Sequence, residues 1–426
     1  MSNQNRTMFG GRVDRGQVIN FIFNGKKYKG FHGDTLASAL LANDVHLVGR
    51  SFKYHRARGI LTAGSEEPNA IVQLGLGART EPNMRATEIE LYEGLEAASQ
   101  NCWPSVNYDI GSLNNILSSI FPAGFYYKTF KWPPSLWLFY EHFIRKAAGL
   151  GYSPTAKNPD RYEQKFYYCD LTIVGGGISG LLSALAAGRS GCSVLLIDEN
   201  PELGGYLLDY NFSINEKDGL KWIKNIVDEL YSMDNVRILK RTTAMGYYDY
   251  NYLTALEKVT NHCDQLSKTI PRERYWRVRS KKIILAQGAF ERPLVFADND
   301  RPGIMMASAG KKYLSRYGVL PGKSVVLFTN NDHAYQTAFE FNDKGAKLSV
   351  VDTRENIDTR IQKKCDDLGI KLYSSSSIIS TSGNKKVNQI EVQKVDRKQN
   401  KLSGECVTLD VDCILMSGGW NPAVQL

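Results

Sequence analysis

Gly175, Gly177 and Gly180 stand at G-x-G-x-x-G spacing within CDLTIVGGGISGLLSALAAGRSGCSVLLIDE, the stretch from Cys169 to Glu199. That spacing has a defined chemistry, the holding of a dinucleotide pyrophosphate. Gly175 permits a tight strand-to-helix turn, Gly177 lets backbone approach the pyrophosphate, and Gly180 lets helix and strand pack closely. Ile178 and Ser179 open the helix, whose free N–H groups and positive dipole end face the anion. Asp198 and Glu199 end the following apolar run. A carboxylate there accepts hydrogen bonds from a ribose diol and repels a 2′-phosphate, so FAD or NAD is favoured over NADP.

Those residues need elements to position them. Leu171 to Val174 reads as a buried parallel strand, a helix runs to about Arg189, and Ser193 to Ile197 is a second strand, completing a βαβ unit. Gly204 and Gly205 in NPELGGYLL lie where flavoproteins bring backbone to the dinucleotide. The spacing of Leu220, Ile223, Ile226, Val227 and Leu230 predicts a helix over 219–231. Residues 236–280 read as tyrosine-bearing strands and hairpins. A strand over 282–286 ends in Ala286-Gln287-Gly288-Ala289, a small-residue turn expected to return against the cofactor. Gln287 replaces the threonine usual there. A second αβ unit follows, with strand 324–329, helix 334–344 and strand 347–352. Its turn, Thr329 to His333, has no glycine, and is read as a remnant or a site for something other than a pyrophosphate. A strand over 411–416 leads to Gly418 and Gly419, placed as part of the return to the cofactor.

Upstream, strands 19–23 and 26–31 joined by Asn24-Gly25 read as a hairpin with a type I′ turn. Asp34 is the expected cap of a helix over 35–43, and further strands are expected at 70–74 and 87–92. Together these outline a small β-grasp, ferredoxin-like α+β domain. An iron–sulfur ferredoxin carries clustered cysteines after that helix. Residues 44–68 contain none, so a cluster-free domain is expected. The first sixty residues hold ten cations and three acids. The loop GRSFKYHRARG, with Arg50, Arg56 and Arg58, reads either as a solvated face or as a contact with cofactor phosphates or a partner. Residues 101–165 are dense in Trp, Tyr and Phe, the composition of a core or an interface.

The chain has 426 residues and a net charge of +9, enough for two or three domains. No nucleic-acid reading motif accompanies the charge. Seven scattered cysteines without C-x-x-C suggest reduced thiols in a cytoplasmic protein and argue against disulfide-reductase chemistry. No metal-ligand spacing and no membrane-spanning window appear. The fold class expected is α/β. It is a Rossmann-type, glutathione reductase-like fold with two dinucleotide-binding domains, preceded by the cluster-free β-grasp domain. The domains expected are an arm over 1–17, the β-grasp over 18–100, the aromatic connector over 101–165, the dinucleotide domain over 166–307 plus 408–426, and an inserted second domain over 308–407.

Several long segments resemble the α-subunit family of heterotetrameric sarcosine oxidases: GDTLASALLANDVHLVGRSFKYHRARGILTAGSEEPNA, TIVGGGISG, DENPELGG, ILAQGAFERPLVFADNDRPGIM, FTNNDHAY and MSGGWNP. Cys102 and Gln287 depart from the pattern. The resemblance implies oxidation of the sarcosine N-methyl group, giving glycine, hydrogen peroxide, and formaldehyde or methylenetetrahydrofolate. It implies NAD (or FAD) at the glycine turn, FAD and FMN on or against a β subunit, and γ and δ partners besides. Tetrahydrofolate belongs to a C-terminal half absent from this sequence, so a fragment or truncated form is expected. No catalytic residue is assigned within 1–426. Related α-like subunits of proline or opine dehydrogenases and of hydrogen cyanide synthase, and a free-standing NAD(P)H-dependent FAD oxidoreductase, are the alternatives.

Overall fold

The computed structural model describes every residue except 1–3, 119–131, 148, 211, 215, 265–268 and 397–400. The chain divides into two compact units. One comprises Met1–Asn158 and Glu291–Gly419, the other Pro159–Phe290 and Trp420–Leu426.

The first unit opens on the hairpin β1 (Asp14–Phe23) and β2 (Lys26–His32). Asn24 and Gly25 both have positive φ, at 51° and 73°, as a type I′ turn requires. Helix α1 (Leu36–Ala42) is buried along its whole length. Its cap is Thr35, not Asp34: Thr35 accepts from Ser38 N while Ser38 Oγ accepts from Thr35 N, a reciprocal box. Asp34 instead takes hydrogen bonds from Phe31 N and the Ser38 hydroxyl, and pairs with Arg6 at 2.7 Å. Strands β3 (Ile71–Leu74), β4 (Glu81–Arg85) and β5 (Glu96–Ser99) complete a sheet ordered β2-β1-β5-β3-β4. The strand expected over 87–92 does not form. That segment supplies one isolated bridge, Thr35 to Glu90, and buries Ile89 and Leu91 against the core. Its apolar residues reflect packing, not pairing.

The second unit holds β6 (Tyr162–Val174), α2 (Ile178–Arg189), β7 (Val194–Ile197), α3 (Gly219–Tyr231), β8 (Val236–Leu239), β9 (Thr242–Tyr248), β10 (Tyr252–Lys258) and β11 (Glu273–Leu285). Its sheet runs β8-β7-β6-β11-β10-β9, with the first four strands parallel and the last two antiparallel. Strands β6 and β11 each extend far upstream of the short apolar runs that mark them in the sequence. The β6 extension alternates exposed and half-buried residues, and the β11 extension sets buried Trp276, Val278 and Ser280 among half-buried and exposed ones, a half-solvated pattern that an apolar-run criterion passes over. One sheet face packs Ile173, Leu181, Leu196, Ile223 and Leu230 under the helices. The other packs Cys169, Leu195, Leu253, Trp276 and Val278.

The chain then returns to the first unit through β12 (Ile304–Met306), α4 (Ala307–Ser315), β13 (Ser324–Thr329), α5 (Tyr335–Asp343), β14 (Lys347–Asp352) and β15 (Lys371–Tyr373). A three-stranded sheet of β16 (Ser376–Ser382), β17 (Gln389–Asp396) and β18 (Lys401–Asp410) follows, then β19 (Cys413–Ser417). The parallel sheet is ordered β12-β19-β13-β14-β15. One continuous apolar core joins it to the β-grasp sheet. Among the described residues no helix is long and apolar enough to cross a membrane.

The basic loop is spoken for inside this unit. Arg56 grips Asp300 with two hydrogen bonds of 2.7 Å and also meets Asp298, while Arg58 pairs with Asp300. Arg50 donates to Val106 O. The reading of Arg56 and Arg58 as cations offered to phosphates or a partner is therefore corrected: they are internal ties. In the aromatic connector, residues 119–131 lie outside the described residues. Beside them Trp132, Leu138, Phe139 and Phe143 are exposed, so these four are not core.

Replacing Arg56 with Ala is expected to cost about 1 kcal/mol of stability, read as a lower thermal midpoint. The Arg56 hydrogen bond holds the Asp298 carboxyl below its ordinary pKa. That contribution is therefore present above a carboxylate pKa of about 4 and lost as pH falls through the depressed value. An unchanged midpoint at neutral pH would return the loop to the solvated surface.

Candidate dinucleotide site

Strand β6 ends at Val174 and the chain turns at once. Gly175 sits at φ 106°, in the left-handed region that side chains avoid, and a Cβ there would lie 2.2 Å from Ala286 O. Ala286 N in turn donates to Val174 O at 2.7 Å. The turn after β11 is thus pressed against the turn after β6, as the small residues over 286–289 suggest. Gly180 is held just as tightly, since a Cβ on it would fall 1.8 Å from Gly175 O.

Gly177 differs from its neighbours. Its backbone is extended, and a Cβ built on it meets nothing within 4 Å. It is also the N-cap of α2, and no side chain caps that end. The first-turn N–H groups lack intrahelical partners by geometry. Two glycines are required by packing, and the middle one borders open space beside bare amide donors. Ile178 and Ser179 are exposed in that first turn.

The Gly204-Gly205 loop comes to the same place. Gly204 N donates to Gly176 O at 2.9 Å, and a Cβ on Gly205 would lie 3.1 Å from Gly177 Cα. Both have positive φ. Tyr206 stacks edge-on against Trp420 at 4.9 Å, and its hydroxyl reaches Ala289 O at 3.4 Å. Gly288, at φ 75°, is exposed and accepts from Ala423 N at 3.0 Å. Gln287 is half-buried in this turn.

Asp198 ends β7 and is buried, at 8% exposure. One carboxylate oxygen accepts from Gly176 N at 2.6 Å, the other from Asn200 N at 2.7 Å and Asn200 Nδ2 at 3.1 Å. Its visible work is to brace the glycine turn, a role that spacing alone does not reveal. Glu199 beside it is exposed. Gly418 and Gly419 belong to the other compact unit, where Arg292 holds Gly418 O at 2.9 Å.

The second αβ turn is built differently. Asn331 ties this turn with its side chain: its Nδ2 donates to Ser417 Oγ at 3.0 Å and its Oδ1 accepts from Ala334 N at 3.3 Å. Asp352, the acid ending β14, is fully buried. It accepts from the Tyr335 hydroxyl at 2.8 Å and from Arg354 at 2.8 Å. Burial and the Asp352 charge raise the Tyr335 phenol pKa, so this hydroxyl remains a donor. The acid that would face a ribose is committed to a buried tyrosine.

The first turn, with its open middle glycine and uncapped helix, fits the pyrophosphate of a dinucleotide. Residues 170–259 match the family described as FAD dependent oxidoreductase, and residues 16–102 match the family described as 2Fe-2S iron-sulfur cluster binding domain. The sarcosine oxidase α subunit of Rhizobium meliloti (strain 1021) is 48% identical over 98% of this chain. That of Corynebacterium sp. (strain U-96) is 32% identical, also over 98%. The chain spans 41% and 39% of those relatives' lengths. A crystal structure of L-proline dehydrogenase from P. horikoshii superposes on 98% of this chain and 63% of its own, with a TM-score of 0.58 at 19% identity, a likeness of fold.

Gly177→Ala is expected to leave the thermal midpoint unchanged while weakening FAD or NAD binding at least about tenfold, or 1.4 kcal/mol, by calorimetric titration. Gly180→Ala is expected to fail to fold. A Gly177→Ala protein that binds with native affinity would remove the pyrophosphate from this turn.

With its glycine turn and its flavoprotein fold, the chain aligns over 98% of its length with sarcosine oxidase α subunits, of whose length it spans about two-fifths.

Proposed function

We propose that this chain is the dinucleotide-holding part of an α subunit in a sarcosine-oxidising complex. The observation that carries the reading is the 48% identity to a sarcosine oxidase α subunit across 98% of the chain, glycine turn included. The nucleotide is NAD or FAD. Gly177, Ile178 and Ser179 would receive its pyrophosphate, Gly204 and Gly205 its flank, and Asp198 and Glu199 its ribose. Gln287, Gly288 and Ala289 line the returning turn. A bound flavin or nicotinamide accepts the hydride equivalent. The chain's own residues bind and orient it.

In the whole complex, sarcosine, dioxygen and water would give glycine, formaldehyde and hydrogen peroxide. Tetrahydrofolate, where bound, would capture the one-carbon unit as methylenetetrahydrofolate. FAD and FMN would sit on or against a β subunit, with γ and δ subunits completing the assembly in the cytoplasm. No residue of this chain is assigned to the chemistry.

The reading is tested by co-expressing the chain with the remaining subunits and following peroxide release. The expected outcome is turnover with sarcosine at least about tenfold above that with proline or an opine, a discrimination of 1.4 kcal/mol or more. Turnover preferring proline or an opine would move the chain to the related dehydrogenases. NADH-driven flavin reduction by the chain alone would make it a free-standing reductase.

A further inference from the structure

The segment that matches a cluster-binding domain lacks the donors of a cluster. A [2Fe–2S] cluster of the plant type is held by four cysteine thiolates, three of them at C-x4-C-x2-C spacing. Residues 16–102 contain one cysteine, Cys102. Among the described residues no three His, Cys, Asp or Glu side chains gather as metal ligands. The residues present do not fit a cluster.

The spacing nevertheless survives. Thr62, Glu67 and Ala70 have four and two residues between them, in the manner of C-x4-C-x2-C, in the loop after α1. All three are buried, Glu67 to 1% exposure. One Glu67 carboxylate oxygen accepts from Leu61 N at 2.8 Å and Thr62 N at 2.6 Å, with the Thr62 hydroxyl at 3.3 Å. The other accepts from Asn69 N at 2.7 Å and Ala70 N at 2.9 Å. Thr87, also buried, ties the turn after β4 to this loop through a 2.7 Å hydrogen bond to Gly64 O. Next to it, Ala86 N donates to Ala70 O at 2.9 Å.

We infer that the Glu67 carboxylate holds the place of the iron–sulfur cluster, with Thr62, Ala70 and Thr87 at the other three ligand positions. Backbone N–H groups of a cluster loop donate to the cluster's sulfurs. Here four of them converge on one side chain. Burial raises the Glu67 pKa and the four donors oppose the rise, the cost and the compensation of seating a carboxyl in an apolar loop. The domain keeps the loop and gives up one-electron transfer, so it serves the assembly as a packing element fused to the core of its unit.

The test restores the ligands. The Thr62→Cys, Glu67→Cys, Ala70→Cys, Thr87→Cys protein, reconstituted anaerobically with iron and sulfide, is expected to take up about two irons per chain and to give an EPR signal on reduction. The wild-type chain, and the three-cysteine protein that keeps Glu67, are expected to take up none. A cluster in the wild type, or a folded four-cysteine protein without iron, overturns the inference. A second measurement does not depend on that protein folding. Glu67→Gln turns an amide N–H against the loop's donors, so amide exchange at Leu61, Thr62, Asn69 and Ala70 is expected to quicken at least about tenfold. Unchanged exchange at those four overturns it equally.

Discussion

The closest constraint in the second unit is the approach of Gly180 to Gly175. With only 1.8 Å between a would-be Cβ and a carbonyl oxygen, neither position admits a side chain, and the start of α2 is fixed against the end of β6. Everything at the site follows from that approach. It aims the uncapped helix end at the space beside Gly177. It brings Gly176 N within reach of Asp198, and it leaves Gly176 O to receive the Gly204 loop. Ala286 O seals the turn from the neighbouring strand. The cradle is mostly backbone, braced by the Asp198 carboxylate, and it rejects a single methyl at two of its glycines.

The two units treat one architecture in opposite ways. In the second unit the strand–turn–helix is open where a pyrophosphate fits and its acid braces the turn. In the first unit Asn331 ties the equivalent turn to Ser417, and its acid, Asp352, is paired with Tyr335 and Arg354. The β-grasp loop shows the same substitution of internal partners for a ligand, with Glu67 satisfying the amides that a cluster would meet.

How much of this the sequence disclosed depends on the range of the interaction. Asn24-Gly25 announced its hairpin because a type I′ turn needs two positive φ values, a local requirement. The helix over 219–231 was legible from apolar spacing. The glycine turn was legible because each glycine answers a different steric demand. What escaped was set at long range. Arg56 and Arg58 sit more than two hundred residues from Asp298 and Asp300, so a basic loop looked unpaired. Ile89 and Leu91 looked like strand residues because burial and pairing leave the same apolar trace. Thr35 and Asp34 are both sound caps by type, and Asp34 was taken instead by Arg6 and its own turn. Glu67 carries a signal in its spacing from Thr62 and Ala70, but no cysteine stands there to mark it.

The central claim is that the turn over 175–180 carries a dinucleotide. Native mass spectrometry of the freshly purified chain tests it most directly. The expected spectrum shows one FAD or NAD per chain, released on denaturation and identified by its own mass. A bare chain that also takes up neither nucleotide when each is supplied at about 1 mM, where even a weak site of some −4 kcal/mol is half filled, would contradict the account.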